Sequence, residues 1–389
     1  MDVVLLAPVN PFAARGGHGM ALASDVRAIL DNRLSLGVFG LHYKNWQPGV
    51  EIEEIKQCDT RFFNARDGAF PLRFMRGLFG SMPPSLERLY PAEAVAGARA
   101  ALKQWKPKVV IVDDISMAGY IPLVREIVPN AKIILRTHNV MQDVRREHLD
   151  QTRGALIIPI RLEYRRYLHF EATAMQACDA HWAISEEDAH RAAHLYGRTS
   201  DTLSVSIEHE RYTPIDLKEG KKTLFVHIGT LDFRRRVDFE SFLRVSWPKI
   251  RAAEPQAAVN FVGDLVGQPI HVPGATYTGP VKDDVGAYRK GRFALNFQNT
   301  SGGIKLKTLT SLAAGRTLIS TPRGVEGFKL TAGTHFWDMA SFLSAKHLPE
   351  VIQDGEHCQR MGQAGREYVM EKHSRSAIAG NFASLLGAA

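Results

Sequence analysis

Two glycine-containing stretches place backbone amides beside positive charge, the combination that binds an anion. Ser301-Gly302-Gly303-Ile304-Lys305-Leu306-Lys307 lies between a strand-like run ending at Phe297 and a helical run stopped by Gly315. Glycines let the backbone approach a ligand, a helix N-terminus presents unbonded N–H groups, and lysines at spacing two can converge on one phosphate. A solvated basic loop has the same composition, but the strand, glycine loop and helix in succession favour a diphosphate. Gly229-Thr230-Leu231-Asp232-Phe233-Arg234-Arg235-Arg236 leaves a second strand-like run. It could direct one guanidinium at the same group while the others stay at the surface. Gly16-Gly17-His18-Gly19 follows the first strand-like run without G-x-G-x-x-G spacing, and a plain strand-to-helix turn explains it equally well. Asp113-Asp114 ends a strand-like run without a spaced second carboxylate, so a strand-end role is expected and no metal site.

These residues need elements to hold them, and strand and helix signals alternate along the whole chain. Val3 to Leu6, Leu34 to Phe39, Val109 to Val112, Ile133 to Leu135 and Ala180 to Ile184 read as strands. Between them fall helical stretches ending at Leu30, at Trp105 and at Ala177. Ser185 reads as a helix N-cap, with Asp188 where a full capping box has Glu or Gln. A second series opens at Thr223 to Ile228 and continues through Val259 to Val262, Thr276 to Thr278, Phe293 to Phe297 and Leu318 to Ser320. A helix over Val237 to Arg251 is expected to break at Pro248, and the chain from Met339 onward reads as mostly helical. Alternation of this kind predicts parallel sheets in an α/β fold. The polar stretch Glu208 to Gly220, containing Pro214, reads as the linker between two Rossmann-like domains.

Composition narrows the class. At 389 residues and 45% apolar, the chain can build two or three packed domains and is not a disordered protein. A net charge of +8 is too small for a dedicated nucleic-acid binder but suits anionic partners such as phosphates or lipid headgroups. Cys58, Cys178 and Cys358 are scattered, which gives neither a disulfide framework nor a zinc site and fits a reducing compartment. No apolar run reaches the ~18 residues of a membrane span. The start, MDVVLLAPVNPF, reads as a first strand and not as a signal peptide, so a cytoplasmic protein is expected.

The second half resembles the donor domain of glycosyltransferase family 4, of the GT-B fold. The resemblance is carried by FVHIGTLDF from Phe225, NFVG from Asn260, TGPVKD from Thr278 and, most strongly, GIKLKTLTSLAAGRTLISTPRGVEG from Gly303 to Gly327. The tail RMGQAGREYV from Arg360 and the first-half segments Phe170 to Ala180 and Ile184 to Asp188 are also similar. The resemblance implies an α/β protein of the GT-B kind: two facing Rossmann-like domains with a C-terminal helical tail. In this chain it implies an acceptor-binding domain over 1–207, a linker over 208–220, a donor-binding domain over 221–372, and a final helix, 373–389, returning to the first domain. The implied partners are a nucleotide diphosphate sugar, which is a co-substrate, and a glycan or lipid-linked acceptor. No cofactor and no nucleic acid are implied, and transfer is expected to be metal-independent and retaining.

Carried over residue by residue, the resemblance gives catalytic roles to His138, Lys307 and Arg235. It gives donor-binding roles to Gly16, Gly17, Gly229, Thr230, Gly302, Gly303, Ile304, Lys305, Thr310 and Glu326. His138 is expected near the transferred sugar. The family's pair of glutamates is missing: Thr310 and Gly302 occupy their positions. Thr310 can offer the ribose only a hydroxyl, and Glu326 is a substitute carboxylate or an exposed loop acid. The missing carboxylates also motivate an alternative, a non-catalytic binding or partner subunit; sugar-nucleotide epimerases of the same fold lack the Gly303 to Gly327 pattern. Finally, RFFNARDGAFPLRFMRGLF, from Arg61 to Phe79, mixes arginine and phenylalanine as a membrane interface does, and a second basic, apolar segment runs from Leu156 to Tyr167. An anionic membrane surface, the inner face of the cell membrane, is therefore a further expected partner.

Overall fold

The computed structural model describes residues 1–12, 16–42, 53–66, 82–213, 215–218, 220–231, 236–299 and 303–388. The chain forms two compact units. One contains Met1–Ser206, Arg375–Ala389 and the short stretch Ser301–Gly303, and the other contains Ile207–Thr300 and Ile304–Ser374.

The first unit is built on a seven-stranded sheet in the order β3-β2-β1-β4-β5-β6-β7. Its strands are β1 (Val3–Ala7), β2 (Leu36–His42), β3 (Cys58–Asn64), β4 (Val109–Asp113), β5 (Lys132–Thr137), β6 (Ala180–Ala183) and β7 (Asp201–Thr202). Every pairing in it is parallel. Val3 to Ala7 are all buried, as a strand covered on both faces requires, which is why this run reads as continuously apolar instead of alternating. Helices cover both faces. Leu102, Trp105, Tyr120 and Tyr167 pack on one side. Val26, Ile29 and Trp182 pack on the other, with Ile378 and Phe382 of the last helix, Arg375–Ala388. Phe382 meets Trp182 edge-on at 5.5 Å, and Arg375 holds Asp31 through two bonds of 2.6 and 2.7 Å.

The stretch expected at a membrane, Arg61 to Phe79, begins in the edge strand β3. Residues 61–64 pair with β2. Phe62 packs edge-on against Phe12 at 6.4 Å and Phe63 stacks on Phe39 at 5.5 Å. Arg61 donates to Gln104 and Arg66 pairs with Glu87. The rest of that stretch, with Arg73 and Arg76, lies outside the described residues.

The second unit carries a six-stranded sheet in the order β10-β9-β8-β11-β12-β13. The strands are β8 (Lys221–Ile228), β9 (Ala258–Val262), β10 (Ala275–Gly279), β11 (Gly291–Asn296), β12 (Thr317–Ser320) and β13 (Trp337–Asp338), again all parallel. One face is filled by aromatic rings, with Phe225 stacked on Phe293 at 4.7 Å and Phe242 on Phe297 at 4.8 Å. The helix expected to break at Pro248 does so through a π-helical turn, Phe242–Ser246, immediately before Trp247–Ala253. Proline has no N–H to complete an ordinary turn, and the widened turn absorbs that loss. Tyr212 and Ile215 are buried in this unit, Tyr212 donates to Asp284 at 2.9 Å, and Arg366 donates to Ile215 O at 2.8 Å.

Ser185 caps its helix as expected, accepting from Asp188 N at 3.1 Å. The shorter aspartate side chain accepts from the serine hydroxyl at 2.7 Å.

Candidate functional site

In an open parallel sheet the ligand crevice lies beyond the carboxyl ends of the strands, where the order of connection reverses. Here that point falls between β1 and β4 in the first unit and between β8 and β11 in the second. Each unit places its chemistry-bearing residues there.

In the first unit, Asp113 ends β4 and is completely buried. Its two oxygens are shared between two histidines. His138, just past β5, approaches Oδ1 through Nε2 at 2.7 Å, and His18, in the first turn after β1, approaches Oδ2 through Nε2 at 2.9 Å. The two imidazoles lie 4.7 Å apart. Burial works against ionisation of Asp113, but the attraction and hydrogen bonds of His138 and His18 hold its carboxyl well below the usual carboxylate range. Burial also opposes a charge on His18, yet its bond to Asp113 raises it to about 8. The result is a buried carboxylate orienting two rings, one of them half open to solvent, suited to holding hydroxyl groups and to moving a proton.

The same donor set could be read as metal ligands. The geometry argues for hydrogen bonding. Each Nε2 already addresses its own carboxylate oxygen, and Nδ1 of His138, which a metal-bound histidine uses to donate to an outer acceptor, is buried without a partner.

Behind this trio lies a buried ion pair. Arg136, opposite Asp113 in the β4–β5 register, is fully buried and donates through Nε to Asp25 Oδ2 at 3.1 Å. Among the described residues, neither Nη1 nor Nη2 of Arg136, nor Oδ1 of Asp25, has a partner. Burial raises the Asp25 carboxyl, and Arg136 offsets this in part. Burial and the charge of Arg136 push His181 down to about 3, so it stays neutral. It bonds to Thr137 Oγ1 at 2.9 Å and Ser200 Oγ at 2.6 Å. Glu171 closes the site from the next layer, accepting from the backbone N–H groups of Met141 and Gln142 at 3.0 and 2.8 Å. It thereby caps the helix that follows His138, whose own N-cap, Val140, has no side chain able to do so.

In the second unit, Gly229 leaves β8 with φ +145, a conformation that favours glycine, and a Cβ placed on it would lie 3.3 Å from Lys307 Nζ. The lysine ammonium therefore rests over the turn that ends β8. Lys307 belongs to the first turn of the helix Leu306–Ala313, whose N-cap residue, Lys305, provides no side-chain cap. Within that turn Thr308 N donates to Lys305 O at 2.8 Å, and the positive end of the helix lies beside the Lys307 ammonium. Lys305 is buried, whereas Lys307 is partly exposed. His227, just before the end of β8, donates through Nδ1 to Leu295 O at 2.9 Å and stacks on Phe297 at 4.4 Å. Thr310 points inward, sharing a 2.8 Å hydrogen bond with the Tyr288 hydroxyl. Glu326 is partly exposed and accepts from Arg323 at 2.7 Å.

The expected residues thus divide between the units. Gly16, Gly17 and His138 stand at the β1/β4 end of the first sheet; Gly229, Thr230, Ile304, Lys305, Lys307, Thr310 and Glu326 belong to the second unit, and Gly303 groups with the first. Arg235 and Gly302 lie outside the described residues. Sequence reading missed His18 as a functional side chain and undervalued Asp113. The available signal was a histidine in the turn after one apolar strand and an aspartate ending another. Only the pairing of β1 with β4 makes them neighbours.

No family model matches the chain, and no curated protein matches it in sequence. Solved structures do match in fold. The sucrose-phosphate synthase of Thermosynechococcus elongatus superposes with a TM-score of 0.70 at 13% identity, covering 99% of this chain and 98% of that one. HepE of Anabaena, solved with UDP, gives 0.67 at 11% identity over 100% of both chains. The lipopolysaccharide outer core galactosyltransferase WaaB gives 0.63 at 14% identity, covering 100% of this chain and 99% of that one. The chain has the GT-B glycosyltransferase fold: two Rossmann-like units with parallel sheets and a helical C-terminal tail.

Proposed function

We propose that this protein transfers a sugar from a nucleotide diphosphate sugar to an acceptor hydroxyl in glycan biosynthesis. The observation that carries the reading is the placement of Lys307 Nζ over the Gly229 turn, at the N-terminal turn of Leu306–Ala313. A diphosphate there receives a full positive charge and the positive end of a helix dipole as negative charge develops on the leaving phosphate. Those groups serve the role a divalent cation has elsewhere, so the proposed transfer is metal-independent. With no carboxylate assigned as a nucleophile, the proposed course is retention by a front-face route, the departing phosphate taking the acceptor proton. In the first unit, the His18–Asp113–His138 set holds sugar or acceptor hydroxyls. Solved structures of this fold include HepE with UDP-glucose, which supports UDP as the first nucleotide to try.

Calorimetric titration with UDP, and UDP release from UDP-glucose and related donors, test the proposal. Replacing Lys307 by alanine removes a charge-assisted contact, expected to weaken nucleotide binding by about 1.5–3 kcal/mol, roughly tenfold to a hundredfold. If no nucleoside diphosphate binds the wild-type protein, the transfer reading fails and a non-catalytic binding subunit becomes the better account.

A further inference from the structure

The helix pair that follows His138 leaves large aliphatic side chains open to solvent at its tip. Met141–Gln151 buries none of its residues. Ile157–Ala177 buries only Tyr167, Glu171, Ala174 and Met175, all from its midpoint onward. Where the two helices join, Leu156 is 63% exposed and Ile158 is 73% exposed. Large aliphatic side chains left open at a helix tip lose the hydrophobic gain that normally orders them.

The exposed positions on the second helix then run Ile158, Arg161, Arg165 and His169. Steps of three, four and four residues put them on one face. Arg153, also exposed, stands just before the tip. Neither Arg161 nor Arg165 forms an ion pair among the described residues. The single acid of this stretch, Glu163, is turned off the stripe and accepts from Ser85 N at 3.4 Å. An aliphatic tip continued by a stripe of arginine without acidic partners is complementary to one environment in particular: acyl chains beneath anionic headgroups.

We propose that the Leu156–His169 face docks the protein on an anionic lipid bilayer, with Leu156 and Ile158 entering the headgroup boundary and Arg153, Arg161 and Arg165 meeting lipid phosphates. The proposal does not rest on the transfer reading, since it concerns a surface that no donor-site residue shares. In the other stretch expected at a membrane, Arg61 to Phe79, the described residues Arg61, Phe62, Phe63 and Arg66 all have partners within the fold.

The experiment is co-sedimentation of the full chain with vesicles of equal parts phosphatidylcholine and phosphatidylglycerol, against pure phosphatidylcholine, at low and high salt. Wild type is expected to bind the anionic vesicles only, and less well as salt screens the attraction. Arg161→Glu with Arg165→Glu should lower partitioning by about thirtyfold or more. Leu156→Asp with Ile158→Asp should abolish it. Both pairs are at the surface, so thermal unfolding and UDP titration should match wild type, which separates loss of docking from loss of the donor site. The proposal is overturned if wild type ignores anionic vesicles at low salt, or if both double variants bind as wild type does. It is equally overturned if light scattering shows that the wild type is a dimer and that the aspartate pair converts it to a monomer, since the face then joins two copies of the chain.

Discussion

Tyr288 and Thr310 share a 2.8 Å hydrogen bond inside the second unit, with Ser311 Oγ at 3.2 Å from the same phenol. Thr310 is the position at which the sequence resemblance leads one to expect a glutamate. The position is not an empty pocket awaiting a carboxylate, because Tyr288 occupies its surroundings and the Thr310 hydroxyl also donates to Lys307 O at 3.2 Å.

Restoring the glutamate should therefore harm the protein instead of improving it. Thr310→Glu forces a longer, ionisable side chain into a buried hydroxyl cluster, at a cost of about 2–4 kcal/mol. Thr310→Val, which keeps the shape and loses one hydrogen bond, should cost about 1 kcal/mol. Urea denaturation of both variants checks the order. A Thr310→Glu protein as stable as wild type, with tighter UDP binding, would show that the site is open after all.

Gly229→Ala is expected to weaken nucleotide binding with little damage to the sheet. A side chain at φ +145 costs about 1–3 kcal/mol of backbone strain, and the new methyl group meets Lys307 Nζ at 3.3 Å. Calorimetry should show UDP affinity falling along with thermal stability. Gly286→Ala, where a Cβ meets nothing within 4 Å, is the control that should change neither.

The Arg136–Asp25 pair gives a stability prediction. Removing one partner leaves a buried charge uncompensated, so Arg136→Met should destabilise by about 3–5 kcal/mol. Asp25→Leu combined with Arg136→Met should recover part of that loss, because the remaining charge is then gone. Chemical denaturation of both variants is the measurement, and additive losses in the double variant would contradict a direct pair.

His18 gives a pH dependence. Its folded-state value is raised from about 6.5 to about 8, so its contribution is complete below about pH 6.5 and lost as pH rises through about 8. Thermal unfolding of wild type should weaken across that window, and His18→Gln should flatten the change. Glu171 has the same sign in a lower window. Burial raises it from 4.5 to about 7, so its stabilising contribution is full below about pH 4.5 and fades through about 7. Glu171→Gln keeps an acceptor for only one of the Met141 and Gln142 N–H groups, so it should lower stability at acid pH while removing that part of the profile.

The sequence by itself determined the alternation of elements and therefore the parallel, two-unit α/β plan. Val3 to Ala7 and Val109 to Val112 are apolar because strands covered on both faces must be, and that pattern is local. The glycine turn and basic helix start of the second unit were legible for a related reason: Gly229 and Lys307 sit at fixed short distances from the end of their own strand and the start of their own helix. The edge strand β3 escaped notice because its alternation, with Arg61 and two phenylalanines, resembles a surface segment until β2 is beside it. Only the tertiary structure decided which polar residues meet. His18 and His138 are separated from Asp113 by 95 and 25 residues along the chain, and their grouping follows from β1 pairing with β4 and β4 with β5. The same holds for Thr310, since its hydroxyl is committed to Tyr288, 22 residues away. Strand order is fixed by the cooperative burial of whole faces, and no short window of sequence contains it.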